Sequence, residues 1–200
     1  MYEMLGMLGE NMGRFDLYTG DPIPELVESF YPHETHHADH FESLLRAHAA
    51  LTGLEQDWTR KGGRQKHVRF YSSRWSGVMN SFYVKTSERT ATLDARIFED
   101  ASEAETLLFL KGVFSRYGST DKSSHITMAN APHKVTTIGT VLTRLGCSNV
   151  VVYVLEWIPH SYAVHFEPSP IVLEQLEIEK ITLEPDRSGN ADWKIFKRIR

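Results

Sequence analysis

The stretch Ala91-Thr92-Leu93-Asp94-Ala95-Arg96-Ile97, followed closely by Asp100-Ala101-Ser102-Glu103 and ending at Gly118, decides the fold. Ala91, Leu93, Ala95 and Ile97 alternate with Thr92, Asp94 and Arg96, which is the two-residue period of a half-buried strand. Asp100 with Glu103 three residues later has the oxygen donors that satisfy free N–H groups at a helix start. Ala104, Leu107, Leu108, Phe114 and Tyr117 then predict an inward helical stripe that stops at Gly118. A strand feeding a capped helix points to the α+β class.

Upstream, Pro32 precedes a helix expected over 33–52, with Phe41, Leu44, Leu45, His48 and Leu51 inward and Gly53 as its stop. Asp21-Pro22-Ile23-Pro24 reads as a break and a new helix start, since Pro24 is acceptable in a first turn. The first fifty residues are thus expected to be mainly helical.

Downstream, Ser124–Met128 and Lys134–Thr143 are strand candidates. The apolar β-branched run Asn149–Leu155 is expected in mid-sheet. Pro159-His160-Ser161 turns into Tyr162–Phe166, making a hairpin. Residues 171–184 are ambiguous: Ser169-Pro170 suits a helix entry, whereas Ile178 to Leu183 fits a strand. Trp193, Ile195 and Ile199 mark a terminal strand, and no internal repeat is evident. The expected fold is a helical N-terminal third followed by a mostly antiparallel sheet with one well-capped helix packed on it. Residues 21–200 would form a single α+β domain, with 1–20 as a docking arm.

Composition sets further bounds. Two hundred residues that are 41% hydrophobic suffice for a sizeable core. The net charge of −4 argues against a generally nucleic-acid-like protein. The lone Cys147 excludes an intrachain disulfide framework. Met1 to Gly20 has no basic n-region, and the longest apolar run, Val150 to Leu155, cannot span a bilayer. An intracellular, cytoplasmic protein without membrane insertion is expected.

Four of the six methionines, Met1, Met4, Met7 and Met12, fall in the first twenty residues. Met1, Met4, Leu5, Leu8 and Met12 follow helical spacing, although Gly6, Gly9 and Gly13 each cost an isolated helix about 1 kcal/mol relative to alanine. A methionine-rich face adapts to irregular surfaces, so residues 1–20 are a candidate contact for a protein partner or for self-association.

The sharpest chemical motif is His33-Glu34-Thr35-His36-His37, continuing to His40. Two histidines four apart share a helix face and can clamp Zn²⁺, while Glu34 acts on metal-bound water. The string resembles the zincin metallopeptidase signature. That resemblance implies His33 and His37 as ligands, with His40 beside them, and Glu34 as general base. The metzincin continuation would need glycine at His40 and a ligand at Ser43, so that variant fails. The string also begins directly after Pro32, at a helix start rather than within a long helix.

The second constellation spans 57–75. Arg60, Lys61, Arg64, Lys66, Arg69 and Arg74 stand against the single acid Asp57, interleaved with Trp58, Phe70, Tyr71 and Trp75. Cations for phosphates and flat rings for stacking suit single-stranded nucleic acid, with Arg60, Lys61, Arg64, Lys66, Trp58 and Trp75 as the contacts. A basic loop running into an amphipathic strand accounts for the same pattern. No nucleophile elbow or phosphate loop is present.

The preferred reading of this inventory is a non-enzymatic intracellular interaction or structural protein, self-associating through surface contacts. A zinc-dependent hydrolase built on the histidine string is the first alternative. A single-stranded nucleic-acid binder is the second, with nucleic acid ranked below a protein partner. No cofactor is expected beyond zinc in the hydrolase reading.

Overall fold

The computed structural model describes residues 1–9, 26–31, 34–52, 58–62, 68–72, 81–85, 91–119, 125–129, 131–156, 158 and 160–176. The class is α+β, with helices and antiparallel sheets. The chain divides into two compact units, Met1–Arg116 and Tyr117–Arg200.

The first unit opens with helix α1 (Tyr2–Met7), then strand β1 (Leu26–Phe30), helix α2 (Thr35–Thr52) and strands β2 (Thr59–Gly62) and β3 (Val68–Ser72). The sheet order is β1-β3-β2, all antiparallel. A hairpin follows, β4 (Tyr83–Lys85) with β5 (Ala91–Leu93), then a 3-10 turn at Ala95–Phe98 and helix α3 (Glu103–Tyr117). The second unit continues with β6 (Gly118–Ser119), β7 (His125–Ala129), α4 (Pro132–Arg144), β8 (Ser148–Leu155), β9 (Ser161–Glu167) and α5 (Pro170–Gln175). Its sheet order is β6-β7-β9-β8, again antiparallel.

The two units repeat one plan, contrary to the expectation of no repeat. In each, a strand, a helix and two more strands follow one another, and the last of these strands lies between the other two: β1-β3-β2 and β7-β9-β8, with β6 added beside β7 in the second unit. Within the first unit, helices α1 and α3 cross through glycine. A Cβ on Gly6 would lie 2.2 Å from the Phe109 carbonyl oxygen, and one on Gly112 would lie 1.9 Å from that of Glu3. The contact is reciprocal, because each glycine abuts the carbonyl three residues before the other.

Of residues 1–20, expected as a docking arm, the described part packs at this crossing. Met4, Leu5, Met7 and Leu8 are 1% exposed or less, buried within their own unit. Gly6, which weakens a lone helix, is what lets the two backbones approach. Gly13 and Met12 lie outside the described residues.

Other local expectations change for identifiable reasons. Ala95 and Ile97 leave the strand because Asp94 accepts a hydrogen bond from the Arg96 N–H at 3.0 Å and starts a 3-10 turn. The capping box sits two residues later than expected. Ser102 N–H donates to Glu105 Oε2 at 2.9 Å and Glu105 N–H donates back to Ser102 Oγ at 3.3 Å. On α3, Leu107 is buried as expected, but Leu108 is 38% exposed while Phe109, Leu110 and Val113 fill the core. On α2, Phe41 and Leu45 are buried while Leu51 is 87% exposed.

Leu26–Phe30 is a strand where a helix was expected, held by full pairing with β3. Lys134–Thr143 is helical rather than extended. Its β-branched residues favour a strand locally, but Val135, Ile138, Val141, Leu142 and Leu145 bury at helical spacing behind Pro132. Threonine hydroxyls return bonds to the preceding turn, as in Thr136 Oγ1 to Pro132 O at 2.9 Å. Asn149–Leu155 lies within β8, which among the described residues stands at the edge of the sheet rather than at its centre. The Ile178–Leu183 and Trp193–Ile199 expectations lie outside the described residues. Among the described residues, no helix is long and apolar enough to cross a membrane.

Candidate nucleic-acid interface

In the second unit α4 covers one face of the sheet. Gly139 permits the approach: its Cβ position lies 2.9 Å from Val152 Cγ2, with Val150 and Val164 just beyond. The register sets Ile126, Val164 and Val152 in one cross-strand row on that side, and Met128, Tyr162 and Val154 in another. Ile126 and Val164 are fully buried.

The alternate rows form the opposite face. His125, His165 and Val151 are paired across β7, β9 and β8, and Thr127, Ala163 and Tyr153 make the next row. His125, Thr127, Tyr153 and His165 are half-buried and Val151 is 39% exposed. Ser148 and Glu167 pair beyond a bulge, where the Ser148 hydroxyl donates to Glu167 Oε2 at 2.8 Å. Burial pushes the His165 imidazole below its ordinary pKa; Glu167 opposes that shift and His125 adds to it. Burial likewise raises the Tyr153 phenol, which stays neutral. The face therefore offers imidazoles, a phenol and hydroxyls on a rigid sheet, a set able to hydrogen-bond phosphates and base edges. Sequence reading missed it. Its signal was present in the polar-apolar alternation of His125-Ile126-Thr127-Met128 and Val164-His165-Phe166.

The expected site residues occupy other places. His33 lies outside the described residues, and α2 begins only at Thr35. Glu34 accepts from the Arg116 guanidinium at 3.1 Å and from the Tyr31 N–H at 2.8 Å. Arg116, with a side chain 6% exposed, also donates to the Met7 carbonyl at 2.7 Å and lies 4.2 Å from the Phe30 ring centroid. The His37 ring lies against His36 at a 45° tilt, with centroids 3.7 Å apart, and burial lowers its pKa. His40 Nε2 meets Glu3 Oε1 at 2.8 Å instead of turning toward His37. The string ties helices together. Among the described residues, no three His, Cys, Asp or Glu side chains are grouped to hold a metal ion.

In the basic segment, Arg60 turns back onto α2, binding Asp39 Oδ1 at 2.6 Å and Glu42 Oε2 at 2.7 Å. The hydrogen bond with Glu42 is the main cause of its raised pKa. Burial pushes the Glu42 carboxyl up, but bonds from Arg60 and Arg46 outweigh it and leave the net value lowered. Trp58 is half-buried with the Arg46 guanidinium 5.5 Å from its ring centroid. Lys61 stands in β2 opposite Arg69. Arg64, Lys66 and Trp75 lie outside the described residues.

This architecture, two units that repeat a strand–helix–strand–strand plan, has the fold seen in solved structures of the homing endonuclease I-DmoI. Variants of the homing endonuclease I-DmoI match with a TM-score of 0.62 at 14% identity, covering 89% of this chain and 95% of that one. I-DmoI in complex with DNA and manganese matches with a TM-score of 0.60 at 10% identity, over 88% and 91% of the two chains. A variant bound to its target DNA in the presence of magnesium gives 0.61 at 13% identity, over 89% and 95%. At this identity the likeness establishes the fold. No protein-family profile and no curated protein matches the sequence.

The likeness overturns the preferred sequence reading. A non-enzymatic structural protein whose first partner is another protein was expected; the fold is that of an enzyme seen on its target DNA. The ranking of protein above nucleic acid is reversed, and the described part of the arm meant to carry the protein contact buries Met4, Leu5, Met7 and Leu8. The ions named with that enzyme are manganese, magnesium and calcium rather than zinc.

Proposed function

We propose that this chain is an intracellular DNA-binding protein that recognises a duplex through the open face of its second-unit sheet. The observation that carries the reading is the match to a DNA-bound endonuclease over nearly nine-tenths of this chain. Support comes from the polar residues His125, Thr127, Tyr153 and His165, in two adjacent rows on the face opposite α4. Strands that present alternate side chains to one surface are an established way of reading a groove. Duplex rather than single strand is favoured because a related complex contains target DNA nicked in one named strand.

Metal-assisted cleavage of that DNA is the second reading, favoured by the manganese, magnesium and calcium in the matched complexes. The described side chains provide no three-ligand cluster, so no cleavage step is assigned to them.

Fluorescence anisotropy with a pool of randomised duplexes tests the first reading, followed by selection and sequencing of retained molecules. A salt-dependent complex with an enriched sequence is expected. The proposal fails if no duplex is retained even at low salt. Incubating enriched duplexes with Mg²⁺ or Mn²⁺ and separating products on denaturing gels tests the second.

A further inference from the structure

We propose that His125 and His165 form a proton-gated contact to the phosphate backbone of nucleic acid, so that acid strengthens binding. The inference rests on the duplex-binding reading and specifies how that interface is regulated.

The two residues are direct partners in the β7–β9 register, on the face opposite α4. Their row is continued by Ser119 on β6 and Val151 on β8, so the strands flanking the pair place no charged residue in it. Among the described residues, two further titratable groups stand on this face. Glu167, two residues along β9, has its carboxylate engaged by Ser148 and Asn149. Tyr153 on β8 stays neutral.

Two neighbouring imidazoles charge reluctantly together, because each positive ring disfavours the other. Half-burial adds to that reluctance at His165. Near physiological pH the His165 imidazole, held down by burial, offers hydrogen bonds but little charge. A phosphate laid across both rings reverses the balance, since its negative charge favours each imidazolium and screens one from the other. Binding must then be accompanied by proton uptake, and by linkage its affinity rises as pH falls. The sign is fixed by the chemistry: protonation adds positive charge to a face meant for an anion.

The test uses the full chain, a fluorescent duplex from the enriched pool and constant ionic strength. Uptake of about half a proton to one proton per complex would tighten binding roughly tenfold or more between about pH 7.5 and pH 5.5. The double variant His125→Gln, His165→Gln is expected to flatten this to less than about twofold, while His36→Gln on α2 keeps the full response. Each single variant removes part of the dependence, which covers a double variant that does not fold. NMR titration of the imidazole carbons gives a second readout, with both pKa values expected to rise on adding duplex. Intact binding with an unchanged pH response in the histidine variants overturns this inference and leaves duplex binding standing. Absence of duplex binding at every pH overturns both.

Discussion

Placing a methyl group at the helix crossing measures how much of the fold depends on it. In Gly112→Ala the new Cβ would lie 1.9 Å from the Glu3 carbonyl oxygen, and in Gly6→Ala 2.2 Å from that of Phe109. A carbon and an oxygen need more than 3 Å, so α1 and α3 must separate by roughly 1 Å. The obstacle is backbone on both sides, and no flexible side chain can swing away. Overpacking a well-packed interior costs typically about 1–3 kcal/mol and sometimes more, and this contact belongs at the upper end. Opposing it, alanine is the better helix former by about 1 kcal/mol. The net expectation is a loss of about 2 kcal/mol for either variant, or roughly 4–8 °C in Tm for a chain of this size. Urea unfolding would show a lower midpoint at unchanged m-value. A neutral or stabilised Gly112→Ala variant would refute the crossing, since propensity alone would then decide the outcome. Gly9, whose Cβ position has no neighbour within 4 Å, is the control: Gly9→Ala should cost less than about 0.5 kcal/mol.

Further outcomes follow from the same geometry. Arg116→Met leaves the Glu34 carboxylate, only 13% exposed, without its cation and should cost about 3 kcal/mol. Pairing that change with Glu34→Gln should restore more than half of the loss in a double-mutant cycle. Arg60→Ala breaks partly exposed ion pairs to Asp39 and Glu42 and should cost about 1 kcal/mol or less. Because that charge is already compensated, the same variant should change the salt slope of duplex binding by well under one unit, read from anisotropy at several salt concentrations. His37 and His165 have folded pKa values lowered by burial, so the unfolded chain takes up more protons as pH falls below about 6.5. Stability without DNA should therefore be unaffected by these groups above that pH and fall below it, and His165→Gln should shallow the decline measured by urea midpoints.

Local order was legible where a single element decides its own conformation. Leu107 on α3 and Phe41 and Leu45 on α2 follow helical spacing into the core, and Ser161–Glu167 pairs with Ser148–Leu155 as the two apolar runs suggest. The failures share one cause, which is information residing in a partner element. Lys134–Thr143 carries strand-forming residues, yet burial of Val135, Ile138 and Val141 makes it the helix covering the second sheet. The partners of His40 and Glu34 were likewise hidden, since only folding brings Glu3 to one and Arg116 to the other.

The internal duplication was hidden for the same reason. Met4-Leu5-Gly6-Met7-Leu8 and Leu110-Lys111-Gly112-Val113-Phe114 share a glycine between flanking residues and little else. What the two segments have in common is what each glycine must avoid, namely the carbonyl three residues ahead of the other. A steric requirement of that kind constrains one position per helix and leaves the remaining side chains free to diverge. The sheet face is under the converse constraint. Its inner rows must stay apolar against α4, whereas the rows holding His125, Thr127, Tyr153 and His165 answer only to what they contact. Recognition chemistry can thus change on one side of the sheet without disturbing the packing on the other. This chain shares its fold with I-DmoI at 10–14% identity, which leaves most side chains free to differ wherever packing does not fix them.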